Sequence, residues 1–340
     1  MKFLNNREKV VLVILIMLTM VSVAITAYLA INQTNTNIKT CCNKKIRVIN
    51  TGEEIDSNFR ERNKGLQNKI GNYDVVAYDP PIQSSNLMPA DWNQMVQDLV
   101  QVYNDYDAFV VLCDHDMLPY TASALSFMME NLKKPIVFTD GDLASALVLA
   151  SQTRIPEVMV SSGDKLLRGC RTIANSTMGF SSPNYPQLSK ATALTIPKEE
   201  FRPKFIDPKV KIAIIKLYPG IEGKDIANHI NNKEVKGIVL EIWGAGRSPT
   251  SPSFLEMINV LAKKGVVIVA VSQCNTVREN YETDIRLLEA GVLSGYDMTT
   301  PAAYAKLAFL LGNVEDKKLI GQLMDVNFRG EMSLNNIPRI

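Results

Sequence analysis

The chain has 340 residues, enough for one large domain or two ordinary ones. Hydrophobic residues make up 46% and charged residues 21%, which excludes a disordered chain. The formal net charge is +2, with no long basic run beyond the N-terminal region, so no nucleic-acid partner is expected.

Residues 1–9 form a basic tail carrying Lys2, Arg7 and Lys9. Residues 10–31 carry no charge and are mostly apolar. A helix of about 22 residues at 1.5 Å per residue crosses a hydrocarbon layer of about 30 Å. The stretch therefore predicts a single-pass transmembrane signal anchor. A cleaved signal peptide is the competing reading; it calls for a shorter apolar region and small residues before the cut, where Tyr28 stands here. Basic residues flank both sides, so the positive-inside count leaves orientation open. The expectation is a cytosolic tail with the folded part lumenal or extracellular.

Residues 32–45 read as a polar stalk rich in Asn and Thr. Cys41 and Cys42 lie within it. With Cys113, Cys170 and Cys274 the count is five, so a fully paired monomer is impossible. Whether Cys41 and Cys42 are free, acylated or cross-linked stays open.

Beyond the stalk, strand and helix signals alternate. Short apolar runs at 46–50, 75–78, 109–113, 136–139 and 158–161 suit buried strands. Pro89 opens a helix with Trp92, Met95, Val96, Leu99 and Tyr103 at helical spacing. A second helix is expected over 121–132. A stretch rich in Pro, Ser and Thr leads into a linker at 191–208. Further strands follow at 211–217, 237–242 and 266–272, with a helix face of Phe254, Met257, Ile258 and Leu261 stopped by Gly265. Thr300 and Pro301 read as the cap and first turn of a helix through Leu311. The alternation predicts two α/β domains, a larger N-terminal one at 46–190 and a smaller parallel-sheet C-terminal one at 209–340.

Several segments are familiar. YNDYDAFVVLCDHDMLPYTASALSFMMENLKKPIVFT, PIQSSNLMPADW, KLLRGCRT, SSPNYPQL, LYPGI, VKGIVLEIWGAG, KKGVVIVAVSQC and FRGEMS stand in order along the chain. Together they resemble the L-asparaginase/glutaminase family, in its cytosolic bacterial form, from about Ile46 to Ser333. The resemblance implies that family's two-domain fold, a homodimer or homotetramer, no cofactor, and hydrolysis of L-asparagine to L-aspartate and ammonia through an aspartyl-enzyme intermediate.

The implied site is altered at most positions. The family's T-G-G-T-I turn, whose second threonine is the nucleophile, reads Thr51-Gly52-Glu53-Glu54-Ile55. Its H-G-T-D motif reads Cys113-Asp114-His115-Asp116, so His115 replaces the second threonine and Asp116 alone keeps its identity. Ala174 stands where the resemblance implies the catalytic lysine. The D-S-S segment that binds the substrate's α-amino and α-carboxyl groups reads Gln83-Ser84-Ser85. The segment after Thr139 is shorter than the family's by about a dozen residues.

A glutamate at position 54 cannot supply a hydroxyl, and its attack on an amide would pass through an anhydride. The sequence thus predicts a pseudoenzyme that serves as a binding or interaction module. Three alternatives stay open: residual family activity; an acidic metal or cation site built on Glu54, Asp114, His115 and Asp116; and a different hydrolase with Cys113 as nucleophile and His115 as base.

Overall fold

In the computed structural model the described residues are 44–52, 70, 72–163, 165–176, 179–185, 187–230, 234–244, 246–274 and 283–333. The expected span at 10–31, Cys41, Cys42, Glu53 and Glu54 lie outside them. Among the described residues no helix is long and apolar enough to cross a membrane.

The N-terminal half runs β1 (Ile46–Asn50), β2 (Tyr73–Ala77), α1 (Pro89–Gln101), β3 (Ala108–Leu112) and α2 (Leu118–Met128). It continues through β4 (Met129–Glu130), β5 (Ile136–Thr139), α3 (Leu143–Gln152), β6 (Val158–Ser162) and β7 (Lys165–Arg168). The hairpin β8 (Ile173–Ser176) and β9 (Gly179–Ser181) and the short β10 (Arg202–Pro203) follow. The main sheet has the order β2-β1-β3-β5-β6-β7, parallel except for the last pair. Its central strands β3 and β5 are nearly continuous apolar runs because both faces are covered, whereas edge strand β2 is largely exposed.

Residues alternate between the two faces. Ile49, Phe109, Val111 and Phe138 pack with α1 and α2. Ile46, Val48, Val110 and Val137 pack with Leu143, Ala146 and Leu147 of α3. Helix α1 starts where expected: Pro89 occupies its first turn, and the Met88 amide donates to the Asp91 carboxylate at 2.6 Å.

Helix α2 departs from the expected 121–132. It starts three residues earlier, at Leu118, because the turn through Asp114–Met117 closes with the Leu118 amide on the Asp114 carbonyl. It stops at Met128 because Met129 and Glu130 pair antiparallel with Arg202 and Pro203. The residues expected as a linker, 191–208, are bonded to the N-terminal domain along their length. Thr192 O accepts from Arg168 Nη2, the Leu194 amide donates to Glu157, and Asn93 bonds both the amide and the carbonyl of Ile206. Phe201 stacks on Tyr103 with ring centroids 3.9 Å apart.

The C-terminal half contains β11 (Lys211–Lys216), α4 (Gly223–Ile230), β12 (Val235–Ile242), α5 (Pro252–Lys263) and β13 (Val267–Ser272). Then come α6 (Ile285–Glu289), β14 (Val292–Ser294), α7 (Thr300–Asn313) and α8 (Lys317–Met324). Its four strands are parallel in sequence order. Gly265, at φ +85°, ends α5 in the left-handed region that a side chain would strain. The cap of α7 is Thr299, not Thr300: its hydroxyl accepts from the Ala302 amide, while Thr300 Oγ1 donates to Glu241 at 2.6 Å.

One apolar core runs through both halves. Phe127 of α2 lies against Phe309 of α7, and Trp92 of α1 meets Tyr304 of α7 edge-on. Two buried ion pairs tie the C-terminal segment inward. Arg171 Nη1 reaches Asp297 Oδ2 at 2.8 Å, and Lys306 Nζ reaches Glu331 Oε1 at 2.8 Å.

Candidate active-site cleft

Strands β1, β3 and β5 end side by side, and in open parallel sheets ligands bind beyond these carboxyl ends, where the strand order reverses. The reversal here falls at β1, with β2 on one side and β3 on the other. A cleft of about 550 Å³ opens there, lined by Gln83, Ser84, Ser85, Cys113, Asp114 and Asp140 among others. Its lining includes two carboxylates and no lysine or arginine among the described residues.

Gln83, Ser84 and Ser85 sit on a single 3₁₀ turn, Ser84–Asn86 with Gln83 as its cap. The Ile82 amide donates to Thr51 O at 2.8 Å, which ties this turn to the end of β1. The Gln83 side-chain oxygen accepts from Asn86 Nδ2 at 2.8 Å. As an amide, Gln83 offers the cleft no charged acceptor, and its oxygen is already engaged by Asn86.

Thr51 is buried, with its hydroxyl donating to Leu112 O at 2.9 Å. Cys113 is also buried, and burial pushes its thiol up to about 11; hydrogen bonds with the Thr121 and Thr51 hydroxyls pull the other way and do not offset it. Thr121 Oγ1 in turn accepts from the Trp92 indole N–H at 3.1 Å. Cys113 thus belongs to a buried polar chain that joins the end of β1 to α1 and α2.

His115 lies on the other side of this turn. Its Nδ1 is 2.7 Å from Asp140 Oδ2, and its ring stacks on Phe180 with centroids 4.6 Å apart. Phe180 is the cross-strand partner of Ala174 in the β8–β9 hairpin. His115 and Ala174, the positions the resemblance implies for the second threonine and the lysine, thus both neighbour one phenylalanine. Asp116 is exposed, and its backbone N–H donates to Asp114 Oδ1 at 3.1 Å.

The structure thus brings Gln83, Ser84, Ser85 and Asp114 to one cleft, with Thr51 buried at the end of β1 and His115 stacked on Phe180, the cross-strand partner of Ala174. The proposed pairing of Cys113 with His115 is corrected. Strand β3 ends at Leu112, so strict alternation no longer governs these two positions; the thiol faces Thr51 and Thr121, and the imidazole faces Asp140 and Phe180. Among the described residues no group of three or more His, Cys, Asp or Glu is placed to hold a metal; Glu54 lies outside them. Asp140 and Phe180 were missed in the sequence. The shortened segment after Thr139 was the available signal for Asp140, since it places that carboxylate directly at the strand end.

Such an architecture defines a class of two-domain α/β proteins with a ligand cleft at the carboxyl ends of the first sheet. The chain belongs to the asparaginase/glutaminase family: residues 36–200 match the family "Asparaginase, N-terminal", and residues 211–324 match the "Glutaminase/Asparaginase C-terminal domain". It is 34% identical over 293 residues to L-asparaginase 1 of Escherichia coli K12, covering 78% of this chain and 86% of that protein. It is 35% identical over 295 residues to the 60 kDa lysophospholipase of Mus musculus, covering 77% of this chain and 51% of that longer protein. The structure of L-asparaginase I from Vibrio cholerae superposes with a TM-score of 0.78 at 33% identity, covering 86% of this chain and 100% of that one.

Proposed function

We propose that this chain is a membrane-anchored asparaginase-family pseudoenzyme whose cleft serves binding or interaction, not amide hydrolysis. One observation carries the reading: the place of the catalytic lysine is an alanine whose cross-strand neighbour, Phe180, covers the ring of His115, itself held by Asp140. No amine stands there to manage protons, and no hydroxyl stands there to be activated. Amide-bond cleavage needs both a competent nucleophile and a proton route to the leaving ammonia; oxyanion donors alone act only after attack has begun.

The cleft's charge supports the same conclusion. Asp114 and Asp140 disfavour a ligand that carries an additional carboxylate and favour a cationic or neutral one. The apolar stretch at 10–31 is the proposed anchor, with the folded part on the lumenal or extracellular side. Family membership supports a homodimer or homotetramer held at one membrane.

The test is ammonia release from L-asparagine and L-glutamine by the full chain, run beside an active family member. Release no greater than from a heat-killed sample supports the proposal. Saturable release that disappears in Asp116→Ala or His115→Ala overturns it, because the altered residues would then be performing the hydrolysis.

A further inference from the structure

A second cavity lies at the opposite end of the same sheet. It occupies about 270 Å³ and is walled by Met129, Leu132, Pro156, Val158, Leu194 and Phe328. Pro156 and Val158 stand where β6 begins, and Met129 stands just past the end of α2, so the cavity is at the amino ends of the parallel strands. It shares no lining residue with the cleft described above.

The charged groups around it are unevenly matched. Glu157 accepts from Arg168 Nε at 2.5 Å, from Arg168 Nη2 at 3.0 Å and from the Leu194 amide at 2.6 Å, so both are committed. Glu331 is held by Lys306 and by the backbone amides of Phe328 and Arg329. Glu130 pairs with Lys204 at 3.4 Å. The Arg329 guanidinium, which also lines the cavity, has no carboxylate within ion-pairing distance among the described residues. Its Nε donates to Ser126 O at 3.0 Å and its Nη1 to Phe328 O at 3.2 Å, both uncharged acceptors. Burial disfavours its charged form, and the Glu130 and Glu331 carboxylates, each already paired with a lysine, offset this only in part. A cation partly withdrawn from water without a direct ion-pair partner is costly, and an anionic ligand reduces that cost. Apolar walls beside one orienting charge are the usual composition of a small-molecule site, and this volume suits a ligand smaller than a drug-sized one.

We propose that this cavity binds a small organic monocarboxylate with an apolar body, its carboxylate on the Arg329 guanidinium and its body between Leu132, Pro156 and Phe328. A planar fork of N–H donors matches a carboxylate, and the walls match a short alkyl or aryl group. This site is independent of the first cleft and of whether that cleft has lost hydrolysis.

The probes are hexanoate and its uncharged analogue hexanamide, followed by saturation-transfer difference NMR on the full chain in lipid nanodiscs, with empty nanodiscs as reference. Saturable hexanoate binding at least tenfold tighter than hexanamide is expected. Arg329→Met should abolish that preference. Because Arg329 also bonds Ser126 O, a second variant keeps the test clear if Arg329→Met fails to fold. Thr195→Trp fills the cavity from its exposed rim and leaves the Arg329 bonds intact; it should block both probes without lowering the unfolding temperature. Equal affinity for the two probes, no saturable hexanoate signal from folded wild-type chain, or unchanged hexanoate binding in Thr195→Trp overturns the proposal.

Discussion

His115 Nδ1 lies 2.7 Å from Asp140 Oδ2, just past the end of β5, and this contact fixes the imidazole at the position where the resemblance implies a threonine. The resemblance requires a hydroxyl at position 115 and a lysine at 174. The structure instead supplies an imidazole held by a carboxylate, and an alanine opposite the phenylalanine on which the imidazole rests. The imidazole is held on two sides, by Asp140 and by Phe180, so a change at position 54 alone leaves it in place.

Restoring the nucleophile alone should therefore fail. Glu54→Thr by itself is expected to give no ammonia release from L-asparagine above the parent chain. Combining Glu53→Gly, Glu54→Thr, His115→Thr and Ala174→Lys should raise release at least tenfold, about 1.4 kcal/mol of transition-state stabilisation. A coupled glutamate-dehydrogenase assay reads both variants. Full restoration by the single change would show that neither His115 nor Ala174 is limiting.

Thiol chemistry separates the cysteines. With its thiol pushed up to about 11 by burial, Cys113 carries on the order of a thousandth of its population as thiolate at pH 8. Cys170, fully enclosed, is pushed up to about 12. Cys274 is exposed. Iodoacetamide at pH 8 should modify Cys274 at least a hundredfold faster than Cys113 or Cys170, as measured by peptide mapping over time. Cys113 labelling as fast as Cys274 would revive it as a nucleophile.

Arg171 and Asp297 join the two halves through a buried contact, and the same guanidinium donates from Nε to Gly330 O. Asp297 also accepts from the amide and hydroxyl of Ser333. Arg171→Met leaves a buried carboxylate without its cation and should cost about 3–5 kcal/mol. The double variant Arg171→Met with Asp297→Asn should lose clearly less than the sum of the singles, because no lone charge remains. Urea denaturation of the four proteins gives the cycle; additive losses would show that the pair does not act as a unit.

Asn93 anchors the segment between the domains by bonding both backbone groups of Ile206. Asn93→Ala should cost about 1–2 kcal/mol and expose residues 191–208 to protease. Limited trypsin digestion at Lys198 and Lys204 should accelerate in the variant. Equal cleavage in both proteins would mean that the β4–β10 pairing holds the segment without Asn93.

Much of the architecture was legible in the sequence because parallel strands buried on both faces must be apolar throughout. The runs at 109–113, 136–139 and 266–272 left little other choice. Pro89 and Gly265 marked a helix start and a helix stop for local steric reasons that hold in any tertiary setting. Failures came where a partner distant in sequence decided the outcome. Helix α2 stops at Met128 because Arg202 and Pro203 arrive to pair, which no local pattern announces. Nor does a local pattern announce that Asn93, Arg168 and Glu157 reach the expected linker from three separate elements.

The site divides in the same way. The sequence by itself determined which side chains stand at the positions that the resemblance implies are catalytic: position 115 carries no hydroxyl and position 174 no amine whatever the fold, and packing cannot supply an absent atom. What now occupies the space was decided only by the tertiary structure. Asp140 and Phe180 lie 25 and 65 positions from His115 in the chain, and they reach its ring because β3 and β5 are neighbours and the β8–β9 hairpin folds over them. Cys113 and His115 look like a pair in the sequence, two positions apart. The turn that ends β3 gives them different partners, because side-chain direction beyond a strand is set by backbone torsions and neighbouring elements, not by spacing.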